Sequence, residues 1–477
     1  MTLHYHSPGS WLNLTPERMG VLLFAMRWAL ATAGASILLA LASPARGQAL
    51  DPAPGGAAEA ALAGASVLAV SDPTSLWRNP AGLAAAGGGV AVTLGLQSPE
   101  RSVLRRGPDA LPEARDVAGV QLAPALAVTL PLGPIHLGLG YRTGLLSTST
   151  YAELIDEANR RADPGYLGAH TALRQHLVSF GVAMRWRRFL IGASVELSHL
   201  RLEHHRLLWA GLQGDPLQDV AWDLRSELSL HDTISVAGLF GARLLLCRWL
   251  ELGVAVRTPT DTSLSGELTL SQATTKPRPP TGFEKISSEG GSAALDLTLP
   301  LTVRGGLTVR LWRLAAHVEA SHARWSSENL SAELDGPVII LTDGSNKTER
   351  RPLERLGLGL RLESHTALHA GLEIVIFDRF LTARAGYAFH TPGTPSRLPS
   401  PTLLDLERHV LGLGLEVRRG LLRAALAVQH SFRATLEASG EEALLENPLS
   451  PEVTEPVGQG RYASSQTRVL VEVGLAW

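Results

Sequence analysis

Cysteine occurs once in 477 residues, at Cys247, so neither a disulfide framework nor a cysteine-based zinc site can be built. Flanked by Leu244, Leu245 and Leu246, Cys247 reads as a packed or lipid-facing apolar residue rather than a nucleophile. Charge of one sign is also missing. The net charge is −2, which removes the basic footprint of a nucleic-acid-binding protein. Aromatics are only 5% of the chain and charged residues 18%. Long apolar runs are absent beyond the N-terminus, so a bundle of membrane-spanning helices is excluded. With 45% apolar residues the chain is not disordered either.

Residues 1–49 have the form of a targeting segment. Arg27 precedes the apolar stretch Leu30 to Ala42, and Gly47-Gln48-Ala49 presents small residues at a signal-peptidase site. Cleavage after Ala45 is an alternative, and translation can start at Met19 or Met26. The expectation is a signal peptide over 1–49, followed by a second segment over 50–88.

From residue 89 to 477 the dominant signal has a period of two. Its longest run is Leu295, Leu297, Leu299, Leu301, Val303, Gly305, Leu307 and Val309. Asp296, Thr298, Pro300, Thr302, Arg304, Gly306, Thr308 and Arg310 alternate with them. Such alternation puts the two sets on opposite faces of a strand. In a lipid-spanning barrel the apolar set faces hydrocarbon and the polar or glycine set faces the lumen. The pattern recurs at Ile135-Leu137-Leu139-Tyr141, Val178-Phe180-Val182-Met184 and Leu356-Leu358-Leu360-Leu362. It returns at Leu411-Leu413-Leu415 and at Val469-Val471-Val473-Leu475-Trp477.

Alternation alone suits a soluble sandwich equally well; the connections decide the matter. Very short links fall near Pro131-Leu132-Gly133, Arg187-Arg188, Arg248-Trp249, Trp312-Arg313, Asp378-Arg379 and Arg419-Gly420. Long polar connections fall between them, over 98–118, 145–172, 203–221, 259–291, 326–353, 390–407 and 434–465. Membrane barrels alternate tight periplasmic turns with long external loops in this way. The fold class is therefore an all-β transmembrane antiparallel barrel of about fourteen strands. Residues 354–376 must then form one long strand, or two further strands exist. Trp186, Phe189, Trp249, Trp312, Phe377, Phe380 and Trp477 crowd the short turns and the C-terminus. Tyr141, Trp209, Trp222, Trp325, Phe389 and Phe432 fall at the opposite ends, as two interfacial girdles should.

Residues 50–88 do not alternate. Asp72 can cap a short helix that starts at Pro73, and Pro80 forces a turn after Asn79. The segment reads as a compact plug. The run Gly64-Ala65-Ser66, Ser71-Asp72-Pro73 and Leu76-Trp77-Arg78-Asn79-Pro80-Ala81-Gly82-Leu83 resembles the N-terminal hatch of the FadL family of outer-membrane transporters. Further stretches are similar to that family's barrel: Val256-Arg257-Thr258-Pro259 with Gly266, His322-Ala323-Arg324-Trp325-Ser326, and Arg384-Ala385-Gly386-Tyr387-Ala388-Phe389. The final Trp477 stands where the family usually ends on Phe.

The resemblance implies a plugged barrel in the outer membrane that takes up hydrophobic small molecules, such as long-chain fatty acids or aromatic hydrocarbons, with lateral exit through the wall. Asp72, Asn79, Pro80 and Ala81 are then the hatch and gating residues. Gly138 and Gly140, on the inner face of the third strand, mark either the wall opening or a packing face for the plug, since glycine serves both. Trp477 is the expected assembly signal read by the barrel-assembly machinery. The expected partners are a hydrophobic substrate, outer-membrane lipid and that machinery; no nucleic acid, metal or cofactor is expected, and the chain should act as a monomer. His199, His204 and His205 read as solvated polar residues rather than metal ligands. A related secretion or surface-assembly barrel, or an outer-membrane lipid-modifying enzyme, are the alternatives. No G-x-S-x-G nucleophile motif occurs.

Overall fold

The computed structural model describes residues 52–477 except 107–110, 156–160, 210–222, 274–284, 326–329, 361–362, 378–379, 394–398, 448–449 and 456. The proposed signal peptide, the turn at Asp378-Arg379 and Trp222 lie outside the described residues.

Fourteen wall strands close an antiparallel barrel. The first five are β1 (Gly89–Arg105), β2 (Gln121–Leu132), β3 (Ile135–Thr150), β4 (His170–Trp186) and β5 (Phe189–Trp209). The next five each run in two segments: β6 (Asp223–His231, Ser235–Cys247), β7 (Leu250–Arg257, Thr260–Gln272), β8 (Gly291–Leu299, Leu301–Leu311), β9 (Leu314–Arg324, Leu330–Asp335) and β10 (Arg355–Leu360, His365–Phe377). The last are β11 (Leu381–His390), β12 (Arg408–Arg419), β13 (Leu422–Ala438) and β14 (Gly460–Ala476). Residues 354–376 thus belong to one interrupted wall strand. Closure runs from Gly89 opposite Ala476 to Arg105 opposite Gly460, so the first and last strands cover each other's edges. Hairpin links are two residues long at Gly133-Pro134, Arg187-Arg188, Arg248-Trp249, Trp312-Arg313 and Gly420-Leu421. Tight turns need positive φ, and Gly133 (64°), Arg187 (54°), Trp312 (56°) and Gly420 (60°) supply it.

Next to the short turns, the wall is apolar outside. Val182, Leu139, Leu415, Leu426 and Val473 are exposed there. A belt of exposed leucine and valine rimmed below by Trp186, Phe189, Trp312, Phe377, Phe380 and Trp477 is what hydrocarbon solvates and water does not.

Above that belt the polarity inverts, contrary to the facing expected from alternation. Leu295, Leu297 and Leu299 are buried in the lumen, while Asp296 and Thr298 face outward. Leu356 and Leu358 are buried as well. Past Pro300 the facing is the expected one: Val303 is outside, and Thr302, Arg304, Gly306 and Thr308 are inside. Pro300 cannot donate to a ladder and breaks β8; the side-chain parity flips across it. The segments of β6, β7, β9 and β10 meet at the same level, between His231 and Ser235, Arg257 and Thr260, Arg324 and Leu330, and Leu360 and His365, and the described residues on either side show the same flip. The cause is the change of medium. Beyond the bilayer the outside is water, so the apolar set turns in.

Two further expectations are corrected in the outer half. Trp325 belongs to the buried apolar cluster of the outer half, not to a girdle. His204 is fully buried, its Nδ1 2.8 Å from Thr171 Oγ1, because an even position on the outer part of β5 faces the lumen. Tyr141, Tyr387, Phe389 and Phe432 do mark the upper boundary, paired with His176, His409 and His430.

Candidate functional site

Residues 52–88 lie against the inner face of the wall, among the described residues. Four short elements form there: helix α1 (Ala57–Ala61), 3-10 turns over Pro73–Trp77 and Pro80–Gly82, and helix α2 (Leu83–Ala86). Asp72 caps the first 3-10 turn through Thr74 N at 2.8 Å, with Pro73 at its first position. Asn79 caps the second: its Oδ1 accepts from Ala81 N at 3.2 Å. The Asn79 amide donates to Val67 O at 2.9 Å and to wall residue Ala242 O at 3.4 Å. Pro80 and Ala81 press on Gly192 of β5, where an added Cβ would lie 2.5 Å from Pro80 C.

Such close approach recurs around the wall. An added Cβ on Gly138 would sit 2.8 Å from Leu83, on Gly140 2.7 Å from Trp77, on Gly241 2.0 Å from Asn79, and on Gly386 2.1 Å from Leu62. Gly138 and Gly140 are therefore a packing face for the hatch. β3 stays laddered to β2 and β4 on both sides of them.

Buried charges tie the hatch to the wall. Glu319 of β9 accepts the N–H groups of Ser66 and Val67, each at 2.8 Å. Glu472 of β14 accepts Ala57 N at 2.7 Å and is bridged by Arg423 to Asp72. Arg243 of β6 donates to Leu68 O, to Val70 O at 3.2 Å and to Ser71 Oγ at 3.1 Å, and pairs with Glu251 at 2.8 Å. His369 contacts Ala63 O at 2.8 Å. Unpaired N–H groups of an irregular segment are costly in a dry lumen; the wall carboxylates satisfy them. A lone charge on the lumen-facing parity, as in Val471-Glu472-Val473, was the available sequence signal, and it was missed.

Above the hatch, leucines from β5 to β10 fill the outer half of the lumen, including Leu200, Leu228, Leu264, Leu295, Leu356 and Leu358. Two guanidiniums stand in or beside this apolar space without adequate partners. Arg206 is buried; among the described residues its guanidinium meets Gly357 O and keeps Nε unpartnered. Arg142 is buried with Nε and Nη1 unpartnered. Its nearest carboxylate is Glu196 at 3.8 Å, and it lies 5.6 Å over the Trp77 ring. Arg142 lines a cavity between hatch and wall with Trp77, Arg78, Leu145, Leu299 and Trp325. Outside this path, at the external rim, burial raises the Asp223 carboxyl to about 7 although it receives Tyr166 Oη at 2.7 Å and Arg161 Nε at 3.1 Å.

Backbone pairing between β2 and β3 stops next to Arg142. The β2–β3 ladder ends at the pair Ala125–Arg142, because the next residue, Pro124, has no N–H to donate. Gly144 and Leu145 then form a bulge against β4, between the pairs Thr143–His176 and Leu146–Arg174, and β3 turns inward. Residues 117–124 and 143–150, all described, form no ladder with each other until Asp116 meets Tyr151. Side chains bridge the window instead: Gln97 reaches Leu146 O at 2.7 Å, and Gln121 reaches Thr148 O at 2.9 Å. The hatch touches its lip, with Ala53 N donating to Gly144 O at 2.9 Å. Leu145, at the bulge, belongs to the apolar outer cluster.

Trp477 is exposed at the turn side of the wall, its N–H on Gly88 O at 3.0 Å.

The fold matches solved structures closely. A FadL homologue from Pseudomonas aeruginosa superposes with a TM-score of 0.67 at 16% identity, over 89% of this chain and 99% of that one. The P. putida toluene transporter TodX gives 0.66 at 16%, over 88% and 98%. The Ralstonia pickettii toluene transporter TbuX gives 0.60 at 16%, over 88% and 98%. No family model and no curated protein matches the chain.

Proposed function

We propose that the protein is a monomeric outer-membrane channel through which hydrophobic small molecules enter passively, pass the hatch and leave sideways into lipid through the β2–β3 window. One observation carries the reading: a leucine-lined outer lumen reaches, at Leu145, the stretch where β2 and β3 are not laddered to each other. An open aqueous pore would charge an apolar solute the full cost of wetting; this path does not. The superposed FadL homologue and toluene transporters support it. Passage needs no covalent step, cofactor or metal. Asp72, Asn79, Pro80 and Ala81 act as hatch and gate. The Ala53–Gly144 contact couples hatch position to the window lip. Trp477, the aromatic end of the closing strand, is the mark read by the barrel-assembly machinery after the signal peptide over 1–49 is removed.

Arg206 and Arg142 favour an amphiphile with an acidic head over a bare hydrocarbon. Arg206 has no carboxylate partner among the described residues and Arg142 keeps Nε and Nη1 unpartnered beside Glu196; burying such a group is expensive, and a passing carboxylate would satisfy it. The test is uptake of labelled oleate and labelled toluene by cells lacking the protein and by complemented cells. Restored oleate uptake, lowered more than toluene uptake by Arg206→Gln and Arg142→Gln at equal surface levels, is expected. Oleate uptake equal to that of cells lacking the protein would overturn the reading and leave a secretion or surface-assembly barrel standing.

A further inference from the structure

The outer surface of β4, β5 and β6 carries a cationic group that the transport path does not use. Arg174 and His176 of β4, His199 and Arg201 of β5, and His231 of β6 all face outward. Their cross-strand register is direct: Arg174 opposes Arg201, His176 opposes His199, and Arg201 opposes His231. Like charges facing each other across an antiparallel pair destabilise it. Compensation is partial. Arg201 meets Glu203 at 2.8 Å and His199 Nδ1 meets Asp232 at 3.1 Å, and no carboxylate reaches Arg174 among the described residues.

The group's height above the short turns is informative. His176 and His199 each stand about eleven residues above the Arg187-Arg188 turn, roughly 29 Å at about 3.4 Å per residue and a tilt near 40°. The residues immediately below them on the outer face, Val178, Leu197 and Val236, are apolar. The cationic rows therefore begin where a hydrocarbon band of about 25 Å ends, at the depth of lipid headgroups. Each imidazole is oriented by a neighbour: Tyr141 Oη holds His176 Nδ1 at 2.7 Å with the rings stacked, and Asp232 holds His199, whose ring lies 6.4 Å from His231. His231 also opposes Ser265 of β7, and His176 opposes Thr143 of β3. Among the described residues, Nε2 of His176 and of His199 makes no hydrogen bond, their Nδ1 atoms being the ones held.

We propose that this patch binds the anionic phosphate headgroup of an outer-leaflet lipid, with the arginines as permanent anchors and the histidines as a pH-dependent supplement. The inference rests on the barrel being embedded in a bilayer but not on what it transports. With neutral imidazoles the two arginines are balanced by Glu203 and Asp232; each imidazole that takes up a proton adds a net positive charge. Lipid phosphate is the source expected, because Val178 and Leu197 place acyl chains directly below the cations.

The experiment uses the folded protein in detergent, with lipid adducts counted by native mass spectrometry at pH 5.5 and pH 8.0. The probes are dioleoyl phosphatidylglycerol, whose charge is constant over that range, dioleoyl phosphatidylcholine, and inorganic phosphate. Phosphatidylglycerol should be retained in preference to phosphatidylcholine, more strongly at pH 5.5. Arg174→Gln with Arg201→Gln should weaken that retention by roughly thirtyfold, at about fivefold per arginine near a lipid surface. His176→Gln with His199→Gln should shrink the difference between the two pH values while keeping most binding at pH 8.0. Heat-modifiable gel mobility verifies that each variant is a closed barrel. Retention unchanged in the arginine variant, or equal for the two lipids, would overturn the proposal. Displacement of phosphatidylglycerol by millimolar inorganic phosphate would assign the patch to a free anion instead and also overturn it.

Discussion

Placing an arginine at Leu415 and, separately, at Thr298 discriminates the medium outside each half of the wall. Leu415 lies on β12, exposed on the outer face. It stands five residues from the Gly420 turn, about 13 Å up at roughly 3.4 Å per residue and a tilt near 40°. That is the middle of a band of about 25 Å. A charge there costs about 2–4 kcal/mol. Thr298 also faces outward, its Oγ1 2.8 Å from Asp261 Oδ1, but it stands fourteen residues above the Trp312-Arg313 turn, about 36 Å by the same reckoning. Water and a carboxylate await an arginine at that height, so the change should stay within about 0.5 kcal/mol. Reversible unfolding titrations in lipid vesicles measure both. Equal losses for Leu415→Arg and Thr298→Arg, or a larger loss for the latter, would refute the inversion of polarity across Pro300.

Arg423→Ala strands the Asp72 and Glu472 carboxylates, and losing one partner of a buried ion pair costs about 3–5 kcal/mol; hydrogen exchange should show faster opening of residues 52–88, with the wall ladders still protected. Gly138→Val puts methyl groups where Leu83 and Leu76 pack, so the hatch should shift and cells should become more sensitive to large antibiotics; unchanged sensitivity would count against Gly138 as a packing face. Asn79→Ala removes the cap on Ala81 N and the bond to Val67 O, worth about 1 kcal/mol for the cap. The barrel should stay closed because its ladders do not involve residue 79, and uptake should change at matched surface levels.

Strand number, turn positions and the hatch caps were legible in the sequence because each depends on local signals. Alternation, two-residue links and an Asp or Asn before a proline all act within a few residues. Facing in the outer half was not legible. Leu295 to Val309 keep one apolar parity throughout, and nothing local tells that Pro300 turns the first three of these residues inward. Trp325 was misplaced for the same reason; His204 was misplaced because β5 keeps its even positions inward along its whole length, so its external part still faces the lumen. Gly138 and Gly140 on the third strand were read either as a wall opening or as a packing face for the plug; the loss of β2–β3 pairing lies higher, beside Pro124 and a bulge that only pairing reveals. Arg142 and Arg206 went unnoticed because a single arginine in an alternating run is ordinary until its partners are known.

The bulge of β3 holds one residue more than β4 opposite it: three steps from Thr143 to Leu146 face two from His176 to Arg174. Deleting Leu145 removes the surplus and lets β3 continue in register within the wall, with the hatch untouched in sequence. Labelled oleate uptake by cells carrying this deletion, at surface levels equal to wild type, is the most direct test of lateral exit. Uptake is expected to fall to the level of cells lacking the protein. Uptake at the wild-type rate, in a variant whose barrel is closed by heat-modifiable mobility, would contradict passage through the β2–β3 window.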